Sequence, residues 1–278
     1  MTQPRVLAFD SGIGGLSVVE AMVAAGLPID IDYAADFAWL PYGGRPDADL
    51  IDRVPRLLAA LAGELSADLV VIACNTASTV ALAATRERLR VPVVGVVPPI
   101  KPAAAASRTG VIGVLATPAT IQRPYTHQLI ADHAAGMTVI RVGSTALVAA
   151  GEAKLAGEVV DPAAVQAAIA GLFNAPGGDR LDVVALSCTH FSFLRPELEA
   201  AAPRAIGWVD SGPAIARRVR QVLSLGVGQT RLRRFAASDP ARLLKLAPTL
   251  AGFGFQSGVE IAASAPFALR PAAQTGWG

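Results

Sequence analysis

Apolar residues lie along the chain in short continuous runs, and stretches with helical spacing separate these runs. Residues 5–10, 68–73, 111–116 and 181–186 are such runs, and none shows the apolar–polar alternation of a half-exposed strand. Strands that helices cover on both faces have this pattern, and they pair mainly in parallel. The pattern therefore predicts an α/β fold with mainly parallel sheets.

The same pattern assigns most of the chain to alternating strands and helices. Predicted strands cover residues 5–10, 31–35, 68–73, 91–97, 111–116, 138–142, 181–186, 205–209, 231–237 and 259–263. Predicted helices cover residues 16–25, 49–65, 76–89, 118–131, 147–155, 162–173, 190–201, 213–225 and 240–250. Segment 36–47 contains two prolines and two glycines, which predicts a loop.

Two segments of the chain resemble one another. Residues 70–76 (VVIACNT) and 183–189 (VVALSCT) each join an apolar strand to a cysteine and a hydroxyl residue at the predicted start of a helix. This similarity predicts two pseudo-symmetric, doubly wound domains.

Proline and glycine clusters indicate where the domains divide. Pro98-Pro99 is one candidate boundary, and the Asp210–Gly212 segment is the other. The first predicted domain is therefore discontinuous, comprising residues 1–98 and 211–278, and the second comprises residues 99–210. The last strands are expected to return to the first sheet.

Composition narrows the class of protein. Hydrophobic residues make up 53% and charged residues 17% of the 278 residues, which excludes a mainly disordered chain. The net charge of +2 and the aromatic content of 5% argue against a nucleic-acid partner.

Polar side chains interrupt the longest apolar stretch, residues 69–84, so no membrane span is expected. Two cysteines without a disulfide framework, and an N-terminus without a signal-peptide layout, indicate a reducing cytoplasm.

Reactive side chains follow the predicted strands. Ligands in open α/β sheets bind beyond the carboxyl ends of the strands, and Asp10, Cys74 and Cys188 lie there. A thiol at a helix N-terminus is expected to have a lowered pKa, which favours the thiolate. His190, two residues after Cys188, is placed to exchange a proton with it.

Two kinds of site are not expected. The glycine-rich turn after Asp10 can hold an anion, but Ser17 occupies the third glycine position of a dinucleotide fingerprint. Zinc would find four ligands in Cys74, Cys188, His190 and a carboxylate, but no C-x-x-C or H-x-x-x-H spacing is present, so we expect no metal.

Several segments resemble motifs of the glutamate racemases, within the aspartate/glutamate racemase family, in the same order along nearly the whole chain. They are residues 9–18 (FDSGIGGLSV), 41–43 (PYG), 73–78 (ACNTAS), 94–96 (VGV, before prolines), 117–120 (TPAT) with Tyr125, Glu152, 188–190 (CTH) and Ser238-Asp239. Departures from the family pattern lie at Ser187, Phe191, residues 122–124 and residues 144–145.

The resemblance implies a cofactor-independent enzyme that interconverts L-glutamate and D-glutamate with two cysteines, in a cleft between the two domains. Cys74 is expected to take the α-proton from D-glutamate with help from Asp10, and Cys188 to take it from L-glutamate with help from His190. None of the three lysines follows a strand-end motif, which agrees with the absence of pyridoxal phosphate.

The resemblance also implies a set of ligands and a cellular role. Expected substrate-binding residues are Asp10, Ser11, Tyr42, Gly43, Asn75, Thr76, Thr189 and His190, with Thr117, Thr120 and Glu152 in second rank. The product would supply peptidoglycan synthesis in a bacterial cytoplasm. We expect a homodimer that binds a small-molecule substrate, without nucleic-acid or membrane partners.

Other functions stay open at this point. A racemase of the same family acting on aspartate or other acidic amino acids would share all of these motifs. A non-catalytic binding protein on the same scaffold is expected to lose one cysteine, and this chain has both. A cysteine hydrolase needs one thiol only, which leaves the second cysteine motif unexplained.

Overall fold

The computed structural model describes residues 3–271, and these form two compact units. The first unit contains the chain up to Val96 and from Gly212 onward, and the second is Val97–Ser211. The chain thus crosses between 96 and 97 and again between 211 and 212, where the sequence analysis places the crossings at 98–99 and 210–211. In the second unit the two crossing segments are tied together, because Ser211 Oγ donates a hydrogen bond of 2.6 Å to the carbonyl of Val97.

The first unit is built on a seven-stranded sheet. Its strands are β1 (Arg5–Asp10), β2 (Asp30–Ala35), β3 (Leu69–Ile72), β4 (Val93–Gly95), β9 (Arg231–Ala237), β10 (Ser257–Ile261) and β11 (Leu269–Pro271). Their order is β11-β10-β9-β2-β1-β3-β4, and all pairs are parallel except β10 with β11. The last strands therefore return to the first sheet, as predicted.

The second unit is built on a four-stranded parallel sheet. Its strands are β5 (Val111–Ala116), β6 (Thr138–Gly143), β7 (Val183–Leu186) and β8 (Gly207–Val209). Their order is β6-β5-β7-β8, which repeats the order β2-β1-β3-β4 of the first unit. The predicted α/β fold with two similar halves is confirmed.

Helices connect the strands in both units. In the first unit they are α1 (Leu16–Ala24), α2 (Asp47–Glu64), α3 (Asn75–Arg88), α11 (Gly212–Val222) and α12 (Pro240–Phe253). In the second unit they are α4 (Ile100–Ala106), α5 (Pro118–Gln122), α6 (Pro124–His133), α7 (Ala146–Leu155), α8 (Pro162–Asn174), α9 (Thr189–Phe193) and α10 (Arg195–Ala201). Among residues 3–271, no helix has the length and apolar character needed to cross a bilayer.

Burial of apolar side chains fixes the central strands. Phe9 of β1 and Ile72 of β3 are fully buried, and they belong to one core cluster with Leu58 and Leu61 of α2. Each such side chain contributes about 1.5–3 kcal/mol when it leaves water. The packing holds the carboxyl ends of these strands in place, and the candidate site residues follow those ends.

The predicted elements differ from the structure mainly where proline interrupts a helix. The predicted helix 118–131 is two helices, because Pro124 disfavours helical backbone at Arg123. The predicted helix 190–201 is likewise divided at Leu194. Helix α4 and strand β11 are additional elements that the apolar pattern does not predict.

Candidate active site

The ends of three neighbouring strands place candidate residues of the first unit at one edge of its sheet. Asp10 is the last residue of β1, Asp36 follows β2, and Cys74 comes two residues after β3. The parallel register pairs Asp10 with Ala35, the residue before Asp36. These residues therefore start from adjacent backbone positions at the edge where ligands bind in open α/β sheets.

A chain of hydrogen bonds links Cys74 to Asp10. Ser11 Oγ donates a hydrogen bond of 3.2 Å to Asp10 Oδ1 and lies 3.7 Å from Cys74 Sγ. Because that bond uses the single hydroxyl proton of Ser11, the thiol is the donor in its contact with Ser11 Oγ. The backbone N–H of Ala77, in the first turn of α3, donates to the sulfur over 3.5 Å. This arrangement suits a neutral thiol that lies one hydroxyl away from a carboxylate.

The protonation state of Cys74 differs from the expectation based on its place at a helix N-terminus. Burial raises the pKa of the thiol well above its ordinary value, and the charge of Asp10 raises it further. Backbone hydrogen bonds from the N–H groups of Ala77 and Ser11 lower the pKa by less. The expectation of a thiolate is therefore wrong for Cys74, because loss of water and the neighbouring carboxylate outweigh the helix dipole.

The two residues after Cys74 begin helix α3, and both are buried. They are Asn75 and Thr76. Within the described part of the chain, no hydrogen-bond donor reaches the buried Oδ1 atom of Asn75. Buried polar atoms in native proteins nearly always have a partner. Asn75 Oδ1 is therefore a candidate acceptor for a donor group of a ligand, such as an ammonium.

Tyr42 and Gly43 lie in a 3-10 turn, Tyr42–Gly44, between β2 and α2. Tyr42 is buried in the same core cluster as Cys74, and its hydroxyl donates a hydrogen bond of 2.6 Å to Asp36 Oδ2. Burial raises the pKa of Tyr42 well above its usual value, and the charge of Asp36 raises it further. Tyr42 is therefore a neutral phenol, and Gly43 beside it is half-buried.

In the second unit, Cys188 comes two residues after β7, and His190 lies in the short helix α9. His190 Nδ1 is 3.8 Å from Cys188 Sγ, and His190 Nε2 is 2.5 Å from Oε1 of Glu152 on α7. Cys188 and His190 are both buried. The sequence of sulfur, imidazole and carboxylate is that of an activated base or nucleophile, in which the carboxylate orients the ring.

His190 is surrounded by groups that favour its protonated form. Burial alone would lower the pKa of His190, but its hydrogen bonds to Cys188 and Glu152, together with their charges, raise it well above its usual value. The imidazolium that these groups favour lies beside the sulfur of Cys188, with Nδ1 of the ring 3.8 Å from Sγ.

The remaining candidates of the second unit have different surroundings. Thr117 follows β5 and caps α5, and its hydroxyl lies 2.9 Å from the hydroxyl of Thr120. Thr189 is buried next to Cys188 at the start of α9. Glu152 is expected from the sequence to be a second-rank substrate ligand. In the structure its carboxylate is hydrogen-bonded to His190.

The structure adds two candidate residues, Asp36 and Arg53, that the sequence patterns do not identify. Asp36 is fully buried and binds Tyr42, and Arg53 of α2 forms an ion pair of 2.7 Å with Asp36. Asp36 falls in the predicted loop 36–47, although an acid directly after a strand is the same signal that identified Asp10. In the described residues, no three His, Cys, Asp or Glu side chains are grouped closely enough to hold a metal ion.

Most of the chain matches a known protein family and members of that family in sequence. A sequence model of the Asp/Glu/Hydantoin racemase family matches residues 18–219. The chain is 50% identical to the glutamate racemase of Sphingopyxis alaskensis over 214 residues, which are 77% of this chain and 80% of that protein. It is 43% identical to the glutamate racemase of Vibrio parahaemolyticus over 258 residues, which are 91% of this chain and 93% of that protein.

A solved structure has the same fold. The chain is similar to the crystal structure of Escherichia coli glutamate racemase, with a TM-score of 0.86 and 37% sequence identity. The similarity covers 96% of this chain and 99% of that one. The E. coli protein was crystallised in complex with L-glutamate and the activator UDP-MurNAc-ala.

Proposed function

The chain belongs to the Asp/Glu/Hydantoin racemase family, and we propose that it interconverts L-glutamate and D-glutamate by proton transfer at the α-carbon, without a cofactor. One observation carries the proposal. Two cysteines follow equivalent strands of two sheets with the same strand order, and each has its own acid–base partner. A reaction that removes a proton from one face of a carbon and returns one to the other needs such a pair of groups.

The two sulfurs have complementary roles in each direction. With L-glutamate, the Cys188 thiolate takes the α-proton, and the Cys74 thiol gives its proton to the opposite face of the carbanion-like centre. The protein is left with a Cys188 thiol and a Cys74 thiolate, which is the state that converts D-glutamate back. Two thiols thus exchange protons with the substrate, and no electron acceptor is required.

The partners of the sulfurs support these roles. His190 stabilises the thiolate of Cys188 by its positive charge, and Glu152 holds the imidazole ring in place. Asp10 and Ser11 orient the thiol of Cys74. When Cys74 has lost its proton, the Ser11 hydroxyl can turn to donate to the sulfur.

The substrate is bound by polar groups near the two cysteines. In this proposal Ser11, Asn75 and Thr76, with the backbone of the Tyr42–Gly43 turn, bind the glutamate from the side of Cys74, and Thr189 binds it from the side of Cys188. The buried Oδ1 of Asn75 accepts a hydrogen bond from the substrate ammonium. Fixed donors at the α-carboxylate, in a site that excludes water, stabilise the negative charge that develops.

The proposal is tested with the purified chain and no added cofactor. L-glutamate, D-glutamate and L-aspartate are incubated separately, and chiral chromatography follows the opposite enantiomer. We expect each glutamate enantiomer to reach an equal mixture, and L-aspartate to react much more slowly. Faster racemisation of aspartate would assign the chain to the other substrate of the family, and no racemisation of either would favour a binding protein on this scaffold.

A second experiment tests cofactor independence. The purified protein is expected to lack pyridoxal absorbance, and its activity is expected to survive treatment with hydroxylamine. Loss of activity on treatment, with recovery on adding pyridoxal phosphate, would contradict the two-thiol mechanism.

The cellular role follows from the reaction. We propose that the protein works in the bacterial cytoplasm, where its thiols stay reduced, and supplies D-glutamate for peptidoglycan. The resemblance to the glutamate racemases supports a homodimer. Sedimentation equilibrium of the purified protein checks this, because a dimer has twice the chain mass of 28.5 kDa.

A further inference from the structure

Asp36 accepts as many hydrogen bonds as a carboxylate can. Its Oδ2 accepts from Arg53 Nε at 2.7 Å and from the Tyr42 hydroxyl at 2.6 Å. Its Oδ1 accepts from Arg53 Nη2 and from the Ser238 hydroxyl, both at 2.8 Å. A carboxylate has about four acceptor positions, and all are used. Asp36 is therefore engaged inside the protein and is not a ligand for substrate or a base.

Arg53 is held from several sides. Its guanidinium lies over the ring of Trp39 at 4.5 Å and over the ring of Phe267 at 4.9 Å, measured to the ring centroids. Arg53 Nη2 also donates a hydrogen bond of 2.9 Å to the carbonyl of Ala263, near the C-terminal end of the described chain. A planar guanidinium that stacks and binds a carboxylate with two donors has one well-defined position, which a lysine cannot reproduce.

Tyr42 connects this ion pair with the Cys74 side of the site. The Tyr42 hydroxyl is bound by Asp36, and the Tyr42 ring packs 6.3 Å from the ring of Phe9, the residue before Asp10. Tyr42 and Cys74 belong to one buried cluster. A fixed ring at Tyr42 therefore fixes the 3-10 turn that carries Gly43.

We propose that Arg53 is a positioning residue for racemisation: through Asp36 it holds the Tyr42 hydroxyl, and so it sets the Tyr42–Gly44 turn against the Cys74 thiol. This inference rests on the proposed function. A buried ion pair contributes little net stability compared with apolar side chains of the same size, so stability alone does not account for a charge at this place. In this proposal the Arg53–Asp36 ion pair serves the reaction by fixing the position of the Tyr42–Gly44 turn.

A double-mutant cycle separates positioning from plain stability. The variants are Arg53→Lys, Tyr42→Phe and the double variant, and thermal unfolding verifies that each is folded. Arg53→Lys is expected to lower kcat/KM for L-glutamate roughly tenfold to a hundredfold, the range for hydrogen bonds to a charged group. In the Tyr42→Phe background the same change is expected to lower kcat/KM less than about threefold, since residues that act through one another are not additive. An equal loss in both backgrounds would overturn the proposal.

Arg56→Lys is the matched control on the same helix. The Arg56 side chain is exposed and pairs with Asp52, so its replacement is expected to leave kcat/KM unchanged. An equal loss in Arg56→Lys and Arg53→Lys would also overturn the proposal, because it would trace the effect to α2 as a whole.

A spectroscopic measurement reports on Tyr42 without relying on catalysis. The chain has three tyrosines, so labelling with 3-fluorotyrosine gives three fluorine signals, and Tyr42→Phe identifies the one that belongs to Tyr42. Arg53→Lys is expected to shift this signal and leave those of Tyr33 and Tyr125 in place, whereas Arg56→Lys shifts none. An unmoved Tyr42 signal would overturn the proposal. If the wild type failed to racemise glutamate, the proposed function would fall, and the fluorine signal would still decide whether Arg53 holds Tyr42.

Discussion

The two cysteines occupy equivalent places in the two units but have opposite chemical surroundings. Cys74 follows β3, which pairs with β1, and Cys188 follows β7, which pairs with β5. The backbone hydrogen bonds are alike: Ala73 N–H donates to Phe9 O at 2.7 Å, and Ser187 N–H donates to Leu115 O at 2.8 Å. Cys74 then meets a hydroxyl and a carboxylate, whereas Cys188 meets an imidazole with a carboxylate behind it. Similar backbones therefore carry different proton chemistry.

We propose that this difference lets one sulfur act as the acid and the other as the base in each direction of the reaction. Burial and the charge of Asp10 raise the pKa of Cys74 and favour its thiol form, whereas the sulfur of Cys188 lies 3.8 Å from Nδ1 of His190, whose own pKa is raised. In the proposed mechanism the thiol of Cys74 gives its proton to the carbanion-like centre that forms from L-glutamate. The same total number of protons, redistributed between the sulfurs, serves D-glutamate.

Removal of either sulfur tests whether both sides are needed, and it has the largest expected effect. Cys74→Ala and Cys188→Ala should each lower racemisation by about a thousandfold or more, because one face of the α-carbon loses its acid–base group. Polarimetry with L-glutamate and D-glutamate measures the loss, and circular dichroism verifies the fold. Full activity in either variant would end the two-base account.

Alkylation compares the ionisation of the two sulfurs directly. They are the two cysteines of the chain, and their exposed fractions are similar, 6% for Cys74 and 8% for Cys188. Because the thiolate is the reactive form and the pKa of Cys74 is raised, iodoacetamide at neutral pH should modify Cys74 at least about tenfold more slowly than Cys188. Peptide mass spectrometry measures both rates. Asp10→Asn should speed Cys74 several-fold, since it removes a charge that raises the pKa of that thiol. Equal rates in the wild type would contradict the raised pKa of Cys74.

Glu152→Gln has a smaller effect that is confined to the Cys188 side. The change removes a negative partner of the imidazolium, so the pKa of His190 should fall, and racemisation should drop by roughly tenfold. The chain has three histidines, and His190→Asn identifies the signal of His190 in an NMR titration. Alkylation of Cys74 serves as the control and should not change.

Glu152→Gln should also change how the unfolding free energy depends on pH. The raised pKa of His190 means that its protonation stabilises the native protein below pH about 6.5, its unfolded value, and that this contribution is lost as pH rises through the native pKa. The difference in unfolding free energy between wild type and Glu152→Gln should therefore be largest near pH 6 and decrease at alkaline pH. A difference that grows with pH would show that Glu152 does not act on His190.

Local apolar patterns predict the strands well but not their neighbours. The β9 strand lies beside β2, where Arg231 and Arg234 pair with Asp30 and Asp32, about two hundred residues earlier in the chain. No local pattern encodes such a pairing. Helix α4 escapes prediction because its short sequence, IKPAAAA, contains a proline and follows two others.

Local sequence patterns likewise identify only part of the candidate site. Cys74, Cys188 and His190 are evident from their places after apolar strands. Arg53 lies on a predicted helix, where a charged residue is expected to face solvent. Arg53 is buried in an ion pair with Asp36, which lies on a different element, and only the folded chain shows this pairing.

The α-proton exchange of each enantiomer in deuterated solvent tests the central claim most directly. The equilibrium constant ties the overall efficiencies of the two directions, so exchange must be started from L-glutamate and from D-glutamate separately. Initial loss of the α-proton signal is followed by NMR for the wild type, His190→Asn and Asp10→Asn. The account predicts that His190→Asn slows exchange more from L-glutamate and that Asp10→Asn slows it more from D-glutamate. Equal slowing from both enantiomers in both variants would contradict the assignment of one partner to each thiol.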